Sequence, residues 1–287
     1  MYDLIIIGAG PAGLTAAIYA ARAKMRFLLL EQRFPGGKLS WIELLENIPG
    51  FPKAVSGPHF AELLFQQVSE LGCEIRFEQA TNIQQTETGF IVHSPTNTFE
   101  TKAVLAASGS EPRKLGVPGE VELLGKGVSY CALCDGFFFK NKIVAVVGEG
   151  KTADAEAEYL KKLATVIRIK KDGLASREGE VRGTLLSIHG SEKVEQISIE
   201  SSSGQEMIKV DGVFIFAGFT TSVAFLPSEI QRTSAKFLPT DSSFQTTVPG
   251  IYACGDVRAG SMKQVIVACA EAAQAVEHIR KNVSQRS

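Results

Sequence analysis

A chain of 287 residues, 45% hydrophobic and 21% charged, can bury a large core and reads as one or two globular domains. Its formal net charge of −1 supplies no global positive field to draw in phosphates, which argues against a nucleic-acid binder. The apolar runs LIII, FLLL and IVAVV are strand-length, short of the ~20 residues of a membrane span, and Asp3 with the glycine-rich turn behind it speaks against an export signal, so a cytoplasmic protein is expected.

The first predicted unit is DLIIIGAGPAGLTAAIYAARAKMRFLLLEQ. The buried-strand run LIII leads into Gly8-x-Gly10-x-x-Gly13, a helix of small residues (Ala16, Ala17, Ala20, Ala21, Ala23) and the strand FLLL, which ends in Glu31. Gly8 permits the tight turn, Gly10 lets backbone approach a pyrophosphate, and Gly13 lets the helix pack close on the strand. The helix N-terminus offers free N–H groups and a positive dipole end to phosphate. Glu31 stands where it can accept hydrogen bonds from an adenosine ribose. With strand, helix and acid all at the expected distances, a turn that needs glycine for packing alone is a poor account.

The stretch GVSYCALCDGFFF, residues 127–139, places Cys131 and Cys134 two residues apart beside three phenylalanines. Half a metal site, a redox disulfide and two neighbouring buried thiols all fit that spacing. A structural zinc site wants four N/S ligands. Cys73, Cys254 and Cys269 are isolated and His59, His93, His189 and His278 are scattered, so no metal is expected. Without an export signal, a CxxC is more often redox or metal chemistry than a structural staple. The pair can sit together at one helix N-terminus, where the dipole favours a thiolate. Phe137, Phe138 and Phe139 are expected mainly to pack a core, and alternatively to offer a docking face.

A second unit follows in KIVAVVGEGKTADAEAEYLKKLATVIRI. IVAVV runs into Gly148-x-Gly150-x-x-Ala153, a helix and the strand TVIRI. Gly148 lies 140 residues after Gly8 (148 − 8), and the repetition predicts two Rossmann-like domains.

The ordered set of motifs resembles the low-molecular-weight thioredoxin reductase family of FAD flavoenzymes nearly end to end. GAGPAG is followed by Pro35-Gly36-Gly37-Lys38-Leu39, like the family's PGGQL, and by ENIPGFP, like its ENYPGFP. SYCALCDG resembles its CATCDG, TTVPGIYACGDV its TSVPGVFAAGDV, and Lys263-Gln264-Val265 its RQ-A/V step. The resemblance implies an α/β fold of two Rossmann-like domains, the second inserted in the first. Residues 1–112 and 245–287 would form the FAD domain, and 113–244 a shortened NAD(P)H-type domain carrying the CxxC. It implies that FAD is held by Gly8, Gly10, Pro11, Ala12, Gly13, Glu31, Gln32, Gly37, Lys38, Leu39, Asn47, Gly255, Asp256, Lys263, Gln264 and Val265. Lys38 departs from the family's glutamine. It further implies that Cys134 is the flavin-proximal sulfur, that Cys131 attacks the disulfide of a thioredoxin-like protein, and that Asp135 relays protons; the plain alternative for Asp135 is a cap of the following turn. A homodimer is expected on the same ground. The alanines at 268, 270, 272, 273 and 275 leave open whether the last helix packs on its own domain or on a second subunit.

The departures fall in the second unit. NADPH-using members carry an HRR triplet after its second strand, whose arginines clamp the 2′-phosphate. Here VIRI runs into Lys170-Lys171-Asp172-Gly173-Leu174, and lysine lacks the bidentate fork. Glu149 adds negative charge at the turn, FTTSVAF replaces a PNT-type turn, and the stretch after Leu174 passes almost directly into a hairpin pattern. KTADAEAEYLKKLA resembles a branch that has lost pyridine nucleotide and takes electrons from ferredoxin. The expectation is therefore a flavin thioredoxin-disulfide reductase fed by ferredoxin. The alternatives are an NADPH-dependent reductase whose clamp has drifted to Lys170 and Lys171, a flavin-bound sensor without turnover, or electron flow from dithiols to flavin. Lys161, Lys162, Arg168, Lys170 and Lys171 form a candidate basic face for an acidic ferredoxin.

Overall fold

The computed structural model describes residues 1–170 and 180–285, so Lys171, Asp172, Gly173 and Leu174 lie outside the described residues. In chain order the first unit runs β1 (Tyr2–Ile7), α1 (Pro11–Arg22), β2 (Phe27–Leu30), α2 (Gly57–Glu70), β3 (Ile75–Arg76), β4 (Asn82–Gln85), β5 (Phe90–His93) and β6 (Thr98–Ala106). After the short β7 (Glu111–Pro112), the second unit holds β8 (Val128–Ser129), α3 (Ala132–Asp135), β9 (Ile143–Val147), α4 (Gly150–Leu160), β10 (Thr165–Lys170), β11 (Glu180–Arg182), β12 (Thr184–His189), β13 (Gln196–Ser201), β14 (Gly204–Lys209) and β15 (Gly212–Ile215). The chain returns through β16 (Phe219–Thr220) to β17 (Ile251–Ala253) and α5 (Val265–Gln285).

The first sheet has the order β3-β2-β1-β6-β5-β4, with β17 parallel to β6. β1 pairs in parallel with both β2 and β6, so the chain reverses direction across the sheet at β1, and the crevice beyond its C-terminal end is where open α/β sheets bind ligands. β1 and β2 are near-continuous apolar runs because both faces are covered. On one face, Ala16, Ala17 and Ala20 of α1 share a core with Ala268, Ala272 and Ala275 of α5. These three alanines thus pack α5 on its own unit, because side chains this short let two helix backbones approach closely, while Ala270 of the same stripe is exposed.

The second unit carries the parallel order β11-β10-β9-β15-β8 and a separate antiparallel sheet β12-β13-β14. The two compact units comprise Met1–Glu111 with Thr220–Ser287, and Pro112–Phe219. The return thus falls at Thr220, not at 245 as the sequence suggests. Val223, Phe225, Leu226, Ile230 and Leu238 are buried with Ile5 and Leu28 in the first unit's core. The segment has almost no regular secondary structure, so no periodicity marks where its apolar side chains belong.

Candidate active site

In the first unit the Gly8–Gly13 turn leaves β1 and opens α1. A Cβ on Gly13 would lie 1.7 Å from the Gly8 carbonyl oxygen, and one on Gly8, at φ +102°, would lie 2.7 Å from the Ala107 carbonyl oxygen. Both glycines are fixed by packing. Gly10 differs: its φ of −73° suits any residue, and nothing stands within 4 Å of where its Cβ would be. Open space beside a bare backbone at a helix N-terminus is what a pyrophosphate requires. Pro11 occupies the first helical turn, where no N–H is needed.

Glu31, just past β2, accepts from the Ala9 N–H at 2.7 Å and the Arg33 N–H at 2.8 Å. A carboxylate offers about four lone-pair sites, so capacity remains for ribose hydroxyls. Gln32 is exposed beside it. The Gly36–Gly37 turn folds back on the same loop: the Gly36 N–H donates to Ala9 O at 2.7 Å, and a Cβ on Gly37 would lie 3.3 Å from the Gly10 Cα. Leu39 packs inward with Leu45, Ile48, Val55 and Ala61 and anchors this turn.

Lys38 Nζ donates to Ser110 Oγ at 3.0 Å and forms an ion pair with Asp256 at 2.6 Å. Two elements 218 residues apart in sequence are thereby joined at the sheet's carboxyl edge. Gly255, at φ +70°, brings the Asp256 turn against α1, since a Cβ on it would lie 2.9 Å from Ala12 Cβ. Lys263, at φ +59°, lies with its Nζ 4.2 Å from the Phe237 ring centre. Burial lowers the pKa of Lys263 and nearby Lys38 lowers it further, against the pull of Asp256. Gln264 accepts from Asn47 Nδ2 at 2.9 Å, and Val265 starts α5. The predicted residues of this unit thus gather on the loops at one edge of one sheet. Glu271 was not legible as part of this group: it is 5% exposed, accepts from the Gly255 N–H at 2.8 Å and binds Arg258 at 2.5 Å. An acid set among the alanines at 268–275 is the one feature of the sequence that could have marked it.

In the second unit Cys131 and Cys134 form a disulfide, with Cα atoms 5.3 Å apart. Cys131 is the N-cap of α3, and its sulfur accepts from the Cys134 N–H at 3.1 Å. Asp135 makes no side-chain capping bond to the following 3₁₀ turn. Its carboxylate instead accepts from Ser129 Oγ at 2.5 Å. Ser129, two residues before Cys131, carried no motif signal of its own. Just upstream, the fully buried Glu120 accepts from Leu115 N, Gly116 N and the Tyr130 hydroxyl, which ties the segment preceding the cysteines to a fixed loop. Burial, then the bond to Glu120, pushes the Tyr130 pKa up. Of the three phenylalanines, Phe139 is core and meets Phe214 edge-on at 5.2 Å, Phe138 is partly buried, and Phe137 is 56% exposed.

The second glycine turn is occupied from beneath. Arg168, 3% exposed, donates to Ala153 O at 2.6 Å, Gly148 O at 3.3 Å and Asp154 Oδ1 at 2.8 Å. This corrects its expected place on a basic face: its charge is used inside the fold, where turn carbonyls and a carboxylate need a donor. Lys170 is paired with Glu180 at 2.8 Å and Lys161 with Glu158 at 2.7 Å. Lys162 is exposed, and Lys171 lies outside the described residues.

A disulfide on one nucleotide-type fold and an open pyrophosphate cradle on another fit a flavin disulfide oxidoreductase with FAD as cofactor. Comparison with known proteins agrees. The family model "Pyridine nucleotide-disulphide oxidoreductase" matches residues 2–272. The thioredoxin reductase of Treponema pallidum is 38% identical over 291 residues, covering 96% of this chain and 94% of that protein. The crystal structure of thioredoxin reductase from Streptococcus pyogenes superposes with a TM-score of 0.94 at 32% identity, covering 99% of each chain. A ferredoxin-flavin thioredoxin reductase from Clostridium acetobutylicum matches at 30% identity and TM-score 0.58, covering 99% of this chain and 98% of that one. The chain belongs to the low-molecular-weight thioredoxin reductase family. Among the described residues no helix is long and apolar enough to cross a membrane, and no group of side chains could hold a metal ion.

Proposed function

We propose that the protein reduces the disulfide of a thioredoxin-like partner through Cys131 and Cys134, with ferredoxin rather than NADPH as electron donor. The observation that carries the exchange chemistry is the Cys131–Cys134 disulfide at the start of α3, one residue from the Asp135 carboxylate. FAD, when bound, supplies the electron pair that opens this disulfide. Cys131, as the exchange thiol, then attacks the partner's disulfide, and Cys134 resolves the mixed disulfide. Asp135 gives a proton to each departing partner sulfur. Gly8, Gly10, Pro11, Ala12 and Gly13 hold the pyrophosphate of FAD, and Glu31 and Gln32 its adenosine ribose. Gly37, Lys38, Leu39, Asn47, Gly255, Asp256, Lys263, Gln264 and Val265 form the remaining wall.

The choice of donor is supported by the second turn. A 2′-phosphate needs cations free to close on it. Arg168 is bound inward and Lys170 is paired with Glu180. Likeness to a ferredoxin-flavin thioredoxin reductase accords with this reading.

The test mixes the anaerobic, FAD-loaded protein with reduced ferredoxin, NADPH and NADH in parallel and follows flavin colour. Reduced ferredoxin should bleach the flavin and sustain turnover of a thioredoxin disulfide. Rapid bleaching by NADPH would restore the NADPH-dependent reading. A single stoichiometric exchange without turnover would make the protein a sensor.

A further inference from the structure

One buried hydroxyl joins the halves of the disulfide site. Ser129 is 4% exposed. Its Oγ lies 2.5 Å from Asp135 Oδ2, accepts from the Cys131 N–H at 3.1 Å, and lies 3.3 Å from the Cys131 carbonyl oxygen. A serine hydroxyl has one proton and two lone pairs. The Cys131 N–H uses one lone pair. The proton has two acceptors within reach, and the shorter contact, to the carboxylate, has the length of a charge-assisted bond. If Asp135 is protonated the pattern can reverse: the carboxylic acid donates to the second lone pair, and the serine proton turns to the Cys131 carbonyl. Neither state then leaves a buried donor without an acceptor.

We propose that Ser129 is a positioning residue that serves both protonation states of Asp135, so that the carboxyl can cycle its proton during thiol–disulfide exchange. The inference rests on the assignment of Asp135 as proton relay made above. The exchange balances as follows. Reduced protein holds Cys131 as thiolate, Cys134 as thiol and Asp135 as carboxylic acid. Cys131 attacks one partner sulfur; a Cys131–partner S–S bond forms, the partner S–S bond breaks, and the leaving thiolate takes the Asp135 proton. Asp135 regains a proton from the Cys134 thiol, whose thiolate attacks the Cys131 sulfur. The Cys131–Cys134 bond forms, and the second partner sulfur leaves and takes the same proton. Two electrons and two protons have passed to the partner. The chain ends oxidised with Asp135 ionised, the state in which Ser129 donates to it.

Among the described residues, titratable groups stand on the elements packed around this pair. α4, packed on α3, carries Asp154, bound to Arg168, Glu158, bound to Lys161, Glu156, whose carboxyl is pushed up by burial, and Tyr159, which approaches Gly136. β15 beside β8 is GVFI and carries none. Tyr130 is bound to Glu120, and Lys142 lies over the Phe139 ring.

The experiment reads the pH dependence of single-turnover reduction of thioredoxin disulfide by pre-reduced, FAD-loaded protein. The alkaline limb reports loss of the Asp135 proton and should vanish in Asp135→Asn. In Ser129→Ala both protonation states lose a contact, but the charge-assisted bond to the carboxylate is the stronger of the two, so the limb should rise by about one to two pH units, and Ser129→Thr should restore it. A merely structural serine would slow the reaction at every pH and leave the limb in place. A limb that persists in Asp135→Asn overturns the relay assignment itself. A limb lost there but unmoved in Ser129→Ala overturns the role of Ser129 alone. If Ser129→Ala fails to bind FAD, Ser129→Cys, a weak donor, gives the same comparison: a rise supports the role and an unmoved limb overturns it.

Discussion

At the Gly8–Gly13 turn the neighbouring strand ends in an acid, Glu31, which accepts two backbone N–H groups and keeps lone pairs for a ligand, while Gly10 faces open space. At the Gly148–Ala153 turn the neighbouring strand ends in a basic stretch, and Arg168 donates to the turn's own carbonyls from below. Gly150 also faces open space, but at φ +85°, where only glycine is unstrained. The same glycine spacing thus leads from strand into helix twice, with a different backbone at the middle glycine. What each turn can hold is decided by side chains outside the motif.

The largest effect that bears on this division is loss of exchange chemistry from the second unit with the first intact. Cys134→Ser should lower thioredoxin-disulfide reduction about a thousandfold or more while the FAD content of the purified protein is unchanged, as absorbance and turnover will report. Retained activity would sever the disulfide from the function. Next, Arg168→Met should lower the unfolding free energy by about 3 kcal/mol, because the Gly148 and Ala153 carbonyls lose a buried charged donor. A melting temperature that stayed put, together with altered nicotinamide binding, would make Arg168 a ligand contact and erase the contrast between the turns. Smaller in stability is the glycine pair. Gly10→Ala should fold as stably as the parent without FAD yet fail to load it; Gly150→Ala should leave FAD content alone and cost about 1–2 kcal/mol through its left-handed φ. Equal behaviour of the two would mean that neither turn holds the pyrophosphate.

The smallest expected effects are in acid, and they have opposite signs in the two units. At Asp3, burial raises the carboxyl pKa, but the bonds from Lys102 and the Arg26 N–H outweigh it and the pKa is lowered. A lowered carboxyl contributes stability above its ordinary value of 3.8, which is lost as pH falls through the folded value. Glu156 in α4 is raised by burial, so its ionisation weakens the fold as pH rises above 4.5. Urea titrations between pH 5 and pH 3, probed separately by fluorescence and by disulfide accessibility, should show the first unit's midpoint falling more than the second's. Asp3→Asn should flatten the first unit's slope, and the same slope in the variant would remove Asp3 from the account.

Much of the candidate site's placement could be read from residue order, because its parts are local. The βα turns, the acid after β2 and the CxxC with its aspartate are each set within a few residues by backbone geometry. Contacts across long separations could not be read. Lys38 stood out only as a departure from a glutamine, yet it meets Asp256 across the sheet edge. Arg168 counted as a surface cation, although burial and three acceptors enclose it. Ser129 had no signal because its contact with Asp135 exists only when β8 and α3 bring the two side chains together.

The amino-acid order alone determined the two nucleotide-type folds, which rest on short-range periodicity and spacing, and, through the resemblance of its ordered motifs to a known family, the kinship and the redox reading of the cysteines. Only the tertiary structure decided that residues 220–244 belong with the first unit, that Ala268, Ala272 and Ala275 of α5 share a core with α1, and which charges are already paired within the fold. Burial and partner choice depend on segments far apart in the chain being packed together, and no local pattern carries that information.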